Sequence, residues 1–378
     1  MPWKERSLMS LRQEFVAFAL NVTRSISLQA LCHRFKISPK TGYKWITRYR
    51  ANGIKGLEER SRRPHHSPFK TPEAMEGAVL KVRDRHSAWG GRKIRRSLIR
   101  EGLERVPAPS TITEILRRHD RLNPEEASKH KPWQRFVKEA PNRLWQMDFK
   151  GHFGLESGGR CHPLTLLDDH SRFAVGLRAC GDEQETTVQE ELTGIFRDYG
   201  LPEAMIMDNG APWGHYLEAF TRLSVWLIRC GIHVGHSRPG HPQTHGKNER
   251  FNRTLKVELL QNGVFYDLQH CQEAFDRWRD VYNLERPHEA LEMKTPAECY
   301  QPSSRSFPEV LAPIEYGPDD IVRKVQSKGE IHYRGHILVV GHAFYGYPVA
   351  LRPTTEDGVF DVYFCQQKIS KINLKEIK

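Results

Sequence analysis

The sequence predicts a multidomain chain: a basic, all-α N-terminal third, a central α/β body on a mixed sheet, and a small all-β tail. Three observations predict it. Residues 1–130 hold 28 Lys+Arg against 13 Asp+Glu, whereas residues 131–378 hold 30 against 33. Helix start signals recur through the basic third, and from residue 142 strand-type apolar runs take over and then interleave with helical periodicity. Beyond residue 314 only short β-type runs with Gly-Tyr-Pro turns remain, in IHYRGHILVV, YPVALRP and VFDVYFC.

Bulk properties set the class. A length of 378 residues suffices for several domains. Mean hydropathy is −0.64, and no stretch approaches the ~20 apolar residues of a membrane span. The N-terminal MPWKERSLMSLRQEF lacks the apolar segment of a secretory signal. Seven cysteines, an odd number without any C-x-x-C spacing, read as reduced thiols of a cytoplasmic protein rather than as a structural zinc site. Net charge is +12, and its confinement to one end fits a polyanion-binding arm on a near-neutral body. A well-solvated basic surface is the plain alternative.

Residues 1–55 read as a helix-turn-helix domain. Ser27 is a helix cap followed by Leu28, Leu31 and Phe35; Ser38 as cap with Pro39 at the first helical position restarts the helix. The second helix sets Trp45, Ile46 and Tyr49 on an inner face and leaves Lys40, Thr41, Lys44 and Arg48 for the major groove of DNA. Residues 56–71 form a basic linker whose Arg62 and Arg63 could track phosphates or a minor groove. Residues 72–122 repeat the theme, with helices over 73–86 and 91–101 and a third from Pro109. They are either a second helical DNA-binding domain or a helical spacer. Residues 123–140 connect this part to the body.

The body, residues 141–300, is predicted to carry strands at 143–150, 163–168 and 172–179, then a helix at 184–199. A strand at 204–208, a helix at 214–230, a strand at 232–236, and helices at 245–261 and 268–282 follow. This order is that of an α/β fold with a mixed sheet.

Three acidic residues stand out against this background. Asp148 interrupts the apolar strand LWQMDF, Asp208 ends the apolar strand AMIM, and Glu249 lies near the start of a helix. An ionised carboxylate on an apolar strand needs compensation worth several kcal/mol. A hard cation such as Mg²⁺ provides it through oxygen ligands, and three carboxylates from two strands and one helix can hold two such ions about 3.5–4 Å apart. Taken singly the residues are plain: Asp208-Asn209-Gly210 is a common turn, and Glu249 is an ordinary helix residue.

Longer motifs carry a family resemblance. Trp145-Gln146-Met147-Asp148, Leu167-Asp168-Asp169-His170-Ser171-Arg172-Phe173, Asp208-Asn209-Gly210 and the stretch from Ser237 to Phe251 resemble bacterial insertion-sequence transposases with a retroviral-integrase-type core. Tyr282-Asn283, Arg286-Pro287-His288 and Thr295-Pro296-Ala297-Glu298 are similar to the family's closing segment. The resemblance is strong over about 140–300 and loose over the N-terminal modules. The 40 residues between Asp208 and Glu249 slightly exceed the family's usual spacing.

This resemblance implies an RNase H-like core in which Asp148, Asp208 and Glu249 bind two Mg²⁺ ions, with Mn²⁺ able to substitute. It implies DNA contacts by Arg250, Arg253 and Lys256, a loop at Gly240–Gly246 offering His241, Gln243 and His245, and an SH3-like barrel over 310–378. Asp168 and Asp169 read as hairpin structure or capping. The implied activity is transposition: double-stranded DNA is cut at the element ends and the freed 3′-hydroxyls join target DNA, on a homo-oligomer associated with the nucleoid. A DNA-binding regulator that lost catalysis and a nuclease without strand transfer are the rival readings.

Overall fold

A computed structural model describes residues 8–21, 26–59, 70–122, 138–207, 220–236, 246–261 and 263–376. The chain divides into two compact units, Met1–Lys70 and Thr71–Lys378.

Among its described residues the first unit holds three α-helices, α1 (Leu8–Leu20), α2 (Leu28–Arg34) and α3 (Pro39–Asn52). Both serine caps form: Ser27 Oγ accepts from the Ala30 amide and Ser38 Oγ from the Thr41 amide, each at 3.2 Å. Phe15, Val16, Leu31, Cys32, Trp45, Ile46 and Leu57 are its buried core. Gly42 on α3 is required by close approach, because a Cβ there would lie 2.5 Å from Cys32 Sγ and 3.0 Å from Phe15 Cζ.

The second unit opens with α4 (Glu73–Arg85), α5 (Gly91–Arg100) and α6 (Pro109–Arg118). Their apolar stripes close on Val79, Val82, Ile94, Leu98, Ile112, Ile115 and Leu116, joined by Trp89 from the α4–α5 turn. The central sheet follows, built from β1 (Trp145–Phe149), β2 (Phe153–Gly154), β3 (Arg160–Asp168), β4 (Ala174–Cys180), β5 (Ala204–Met207) and β6 (His233–His236). Its order is β2-β3-β1-β5-β6, with β4 also on β3. β1 pairs antiparallel with β3 and parallel with β5, and β5 pairs parallel with β6. The sheet is therefore mixed.

Helices cover both faces. Strand alternation puts Trp145 and Met147 on the face packed by α7 (Glu185–Tyr199) and α8 (Arg222–Arg229). The opposite face receives α9 (Gly246–Leu255) and α10 (Leu268–Asp280), through Phe251, Leu255, Phe275 and Trp278. The helix expected over 245–261 is α-helical only to Leu255 and then widens into a π-helical turn, Lys256–Leu260. A second such turn, Val281–Glu285, ends α10.

The tail is all-β, and the expectation of a closed barrel over 310–378 is corrected. Strands β7 (Ile321–Lys324), β10 (Pro348–Pro353), β11 (Val359–Phe364) and β12 (Gln367–Asn373) form an open antiparallel sheet, order β12-β11-β10-β7. β8 (Glu330–Tyr333) and β9 (His336–Val339) pair only with each other among the described strands. The reason is local: Arg334 at φ 51° and Gly335 at φ 80° make a two-residue turn that folds this segment into its own tight hairpin. The tail docks through Gln367, whose amide accepts from Val234 N at 2.9 Å and donates to Val234 O at 2.8 Å, covering the edge of β6.

Candidate active site

Strand β1 leads in its second half from a buried start to a partly open end, so Asp148 emerges from the core at the face covered by α9. Helix α9 turns Asn248, Phe251, Asn252 and Leu255 inward, the i, i+3, i+4, i+7 face, and leaves Glu249, Arg250 and Arg253 exposed. Phe251 anchors the helix edge-on against Trp278 and Tyr282, at 5.4 and 4.9 Å between ring centres.

These elements build one cleft of about 400 Å³, lined by Asp148, Phe149, Lys150, Gly151, Glu249, Asn252, Arg253 and Lys256. Two carboxylates from distant parts of the chain thus share a wall with three cations. Glu249 and Lys256 are two helical turns apart, which puts them on one side of the helix. Asn252 Nδ2 donates to Asp148 Oδ2 at 3.0 Å. Behind Asp148, its backbone carbonyl accepts from Thr165 Oγ1 at 2.8 Å, and Thr165 reaches Asn248 Oδ1 at 3.3 Å.

Asp208 lies outside the described residues, as do Arg62, Arg63, His241, Gln243 and His245. Among the described residues there is no group of three or more His, Cys, Asp or Glu able to hold a metal. Arg250 is exposed and does not line the cleft. In the first unit, Lys40 and Lys44 are exposed on α3, with Arg48 half-buried. Thr41 Oγ1 is 2.9 Å from Ser38 Oγ, within the cap. Lys44 and Arg48 lie over the Trp45 ring, 4.3 and 5.3 Å from its centre.

Asp168 and Asp169 are fully buried beside the cleft-forming elements and serve structure. Asp168 Oδ1 accepts from the Ser171 amide at 2.7 Å and Ser171 Oγ at 2.5 Å, and its Oδ2 accepts from the Asn142 amide at 2.8 Å. Burial raises its pKa, and these three hydrogen bonds pull the other way. Asp169 is bound by Gln146 and Lys247.

Comparison with known proteins bears on what this cleft belongs to. Residues 138–242 and 230–296 match models of an integrase core domain, and residues 320–378 match the C-terminal domain of IS481 family transposases. Residues 11–65 match a helix-turn-helix domain, and residues 41–116 a homeodomain-like domain. The chain is 30% identical over 159 residues to the insertion element IS407 uncharacterized 31.7 kDa protein of Burkholderia multivorans, covering 42% of this chain and 55% of that protein. It is 25% identical over 258 residues to the insertion element IS476 uncharacterized 39.2 kDa protein of Xanthomonas euvesicatoria, covering 67% and 72%. It is 26% identical over 168 residues to the transposase for insertion sequence element IS904 of Lactococcus lactis, covering 44% and 64%. Over these separate segments the chain is similar to insertion-sequence transposases with an integrase-type core.

The chain spans little more than half the length of the IS407 protein. Among solved structures it is similar to a chain of the simian T-cell lymphotropic virus intasome, at TM-score 0.39 and 14% identity, covering 79% of this chain and 97% of that one. It is also similar to the HTLV-2 integrase catalytic core in complex with magnesium, at TM-score 0.33 and 17% identity, covering 43% and 97%.

The donor set of this cleft suits a hard cation. The oxygen-bearing side chains that line it are Asp148 and Glu249, with Asn252 at the same wall. Asn252 Oδ1 is buried and accepts no hydrogen bond from the described residues. Sequence reasoning passed over Asn248, Asn252 and Lys150. The signal for the two asparagines was present, since they occupy the otherwise apolar inner face of α9, where Phe251 and Leu255 flank them.

Proposed function

We propose that this protein is a DNA transposase that binds the terminal inverted repeats of its element, cleaves at the element ends to expose 3′-hydroxyls, and joins them to target DNA. The observation that carries the reading is the common cleft of Asp148, Glu249, Arg253 and Lys256. Asp208 completes the proposed ligand set. Gln146 pairs with Ile206 on parallel strands, and Asp148 and Asp208 each lie two residues further along the chain. Asp208 also directly follows Met207, the end of β5.

Two divalent cations, Mg²⁺ or Mn²⁺, held by Asp148, Asp208 and Glu249, would supply Lewis-acid activation of the attacking oxygen and charge neutralisation at the leaving oxygen. The chain's own side chains do the rest. Lys256, Arg253 and Lys150 neutralise phosphates on either side of the bond to be cut. Asn252 holds the Asp148 carboxylate in one orientation. Cleavage and joining are both in-line displacements at phosphorus, so one site serves water in the first step and a 3′-hydroxyl in the second.

The remaining assignments follow the same reading. Residues 1–55 and 72–122 would read the repeats, with Lys40, Thr41, Lys44 and Arg48 in the major groove and Arg62 and Arg63 on the backbone. Arg250 would contact DNA outside the cleft. The body over 141–300 would hold the chemistry, and the all-β tail would assist assembly. Pairing two ends calls for at least two protomers, acting in the cytoplasm at the nucleoid.

Incubation with end DNA and Mg²⁺ tests the proposal, comparing wild type with Glu249→Gln. The variant is expected to bind end DNA and leave it uncut. Equal cutting by both proteins overturns the site assignment, and a pre-cut end that is never joined to target DNA overturns strand transfer.

A further inference from the structure

Asp169 touches neither of the carboxylates that line the cleft, yet it touches the elements that carry both. Its Oδ1 accepts from Gln146 Nε2 at 2.9 Å, and its Oδ2 lies 2.5 Å from Lys247 Nζ. Lys247 also donates to the Asp169 backbone carbonyl at 2.9 Å, and the Lys138 amide donates to Oδ2 at 2.8 Å. The pair is shut away from water: the side chains of Lys247 and Asp169 are 9% and 1% exposed. Gln146 is 1% exposed.

The spacing of these partners is what gives the contact meaning. Gln146 lies two residues before Asp148 on β1, so both side chains leave the same face of the strand. Lys247 lies two residues before Glu249, in the first turn of α9. One buried carboxylate on the turn after β3 therefore clamps the strand of Asp148 to the helix of Glu249. In the low-dielectric interior a 2.5 Å charge pair resists sliding far more than apolar packing does. Its second, backbone-directed bond also fixes the Lys247 ammonium to the main chain of residue 169.

We infer that Asp169 is a positioning residue which, through Gln146 and Lys247, sets the separation of Asp148 and Glu249 and with it the affinity of the cleft for divalent cations. The inference rests on the metal-binding part of the proposed function. Mg²⁺ demands near-ideal octahedral geometry, so loosening the α9 start against β1 weakens Mg²⁺ before it weakens DNA.

The test uses the full chain and reads the Mg²⁺-induced rise in its thermal unfolding midpoint, which reports metal binding without DNA cutting. Lys247→Met and Gln146→Met are each expected to raise the half-saturating Mg²⁺ concentration about tenfold or more, as loss of groups behind metal ligands does. Lys247→Arg, which keeps the charge, is expected to restore most of the wild-type response. Affinity for end DNA in EDTA stays at the wild-type value. Should Lys247→Met not fold, Gln146→Met decides, since it removes a neutral hydrogen bond and leaves the charge pair. A lower unfolding midpoint with an unchanged Mg²⁺ half-saturation overturns the inference. Wild type that shows the Mg²⁺ response but never nicks DNA overturns the proposed function, while the shift in the two variants still decides the clamp.

Discussion

Asn252 on α9 donates its amide to Asp148 Oδ2 on β1 at 3.0 Å, across 104 residues of sequence. Both residues line the cleft. Asn252→Ala is expected to slow DNA nicking by about 10- to 100-fold, the usual cost of losing a group that orients a metal ligand. Binding of end DNA should stay intact. Asn252→Asp would place a second negative charge at hydrogen-bond distance from Asp148 and push one carboxyl pKa upward. Its pH–rate profile should therefore shift to higher pH, which a fault in packing alone would not produce. An unshifted profile with normal rates sinks the orienting role.

Much of this site was readable in sequence, and the unreadable part has a physical cause. Asp148 was visible because a charge on an apolar strand is costly, and Ser38-Pro39 was visible because capping is a local interaction within three residues. Strand and helix order in the body followed from periodicity. Asp169 was assigned to the hairpin, but its bond to Lys247 spans 78 residues and leaves no local pattern. The open tail sheet was misread as a barrel because closure depends on which strands pair, and alternation within a strand is silent on that. Strands β2, β7 and β12 were missed for a simpler reason: β2 has two residues and β7 four, and QKISKIN in β12 is largely polar.

Lys93 on α5 gives the second unit a distinctive pH response. Burial, then the guanidiniums of Arg286 and Arg250, push its ammonium down to about 7, while Glu289 pulls the other way. An unfolded lysine titrates near 10.4, so between about pH 7 and 10.4 the unfolded chain binds more protons than the folded one. Stability linked to this group therefore rises with pH across that window, and below pH 7 the full cost of the buried charge is present. Lys93→Met should raise the urea midpoint at pH 7, with an advantage that shrinks steadily toward pH 10. A difference between variant and wild type that stays constant over this range would show that Lys93 does not titrate as described.

Gly42 offers a sharper check on the N-terminal domain. It lies within α3, where glycine costs a helix roughly 1 kcal/mol relative to alanine, so propensity alone predicts that Gly42→Ala stabilises. Packing predicts the opposite, because the added Cβ would sit 2.5 Å from Cys32 Sγ and 3.0 Å from the Phe15 ring. Both neighbours are buried in the same core, so a shift of either disturbs its packing. Overpacking of this kind costs about 1–3 kcal/mol and should win. Hydrogen exchange across α1 to α3 should accelerate in Gly42→Ala. The relief should be specific: Cys32→Ala removes the sulfur that the new methyl meets, so the double variant should recover part of the protection lost by the single one. Protection unchanged in Gly42→Ala would mean that α2 and α3 are not packed as closely as the structure places them.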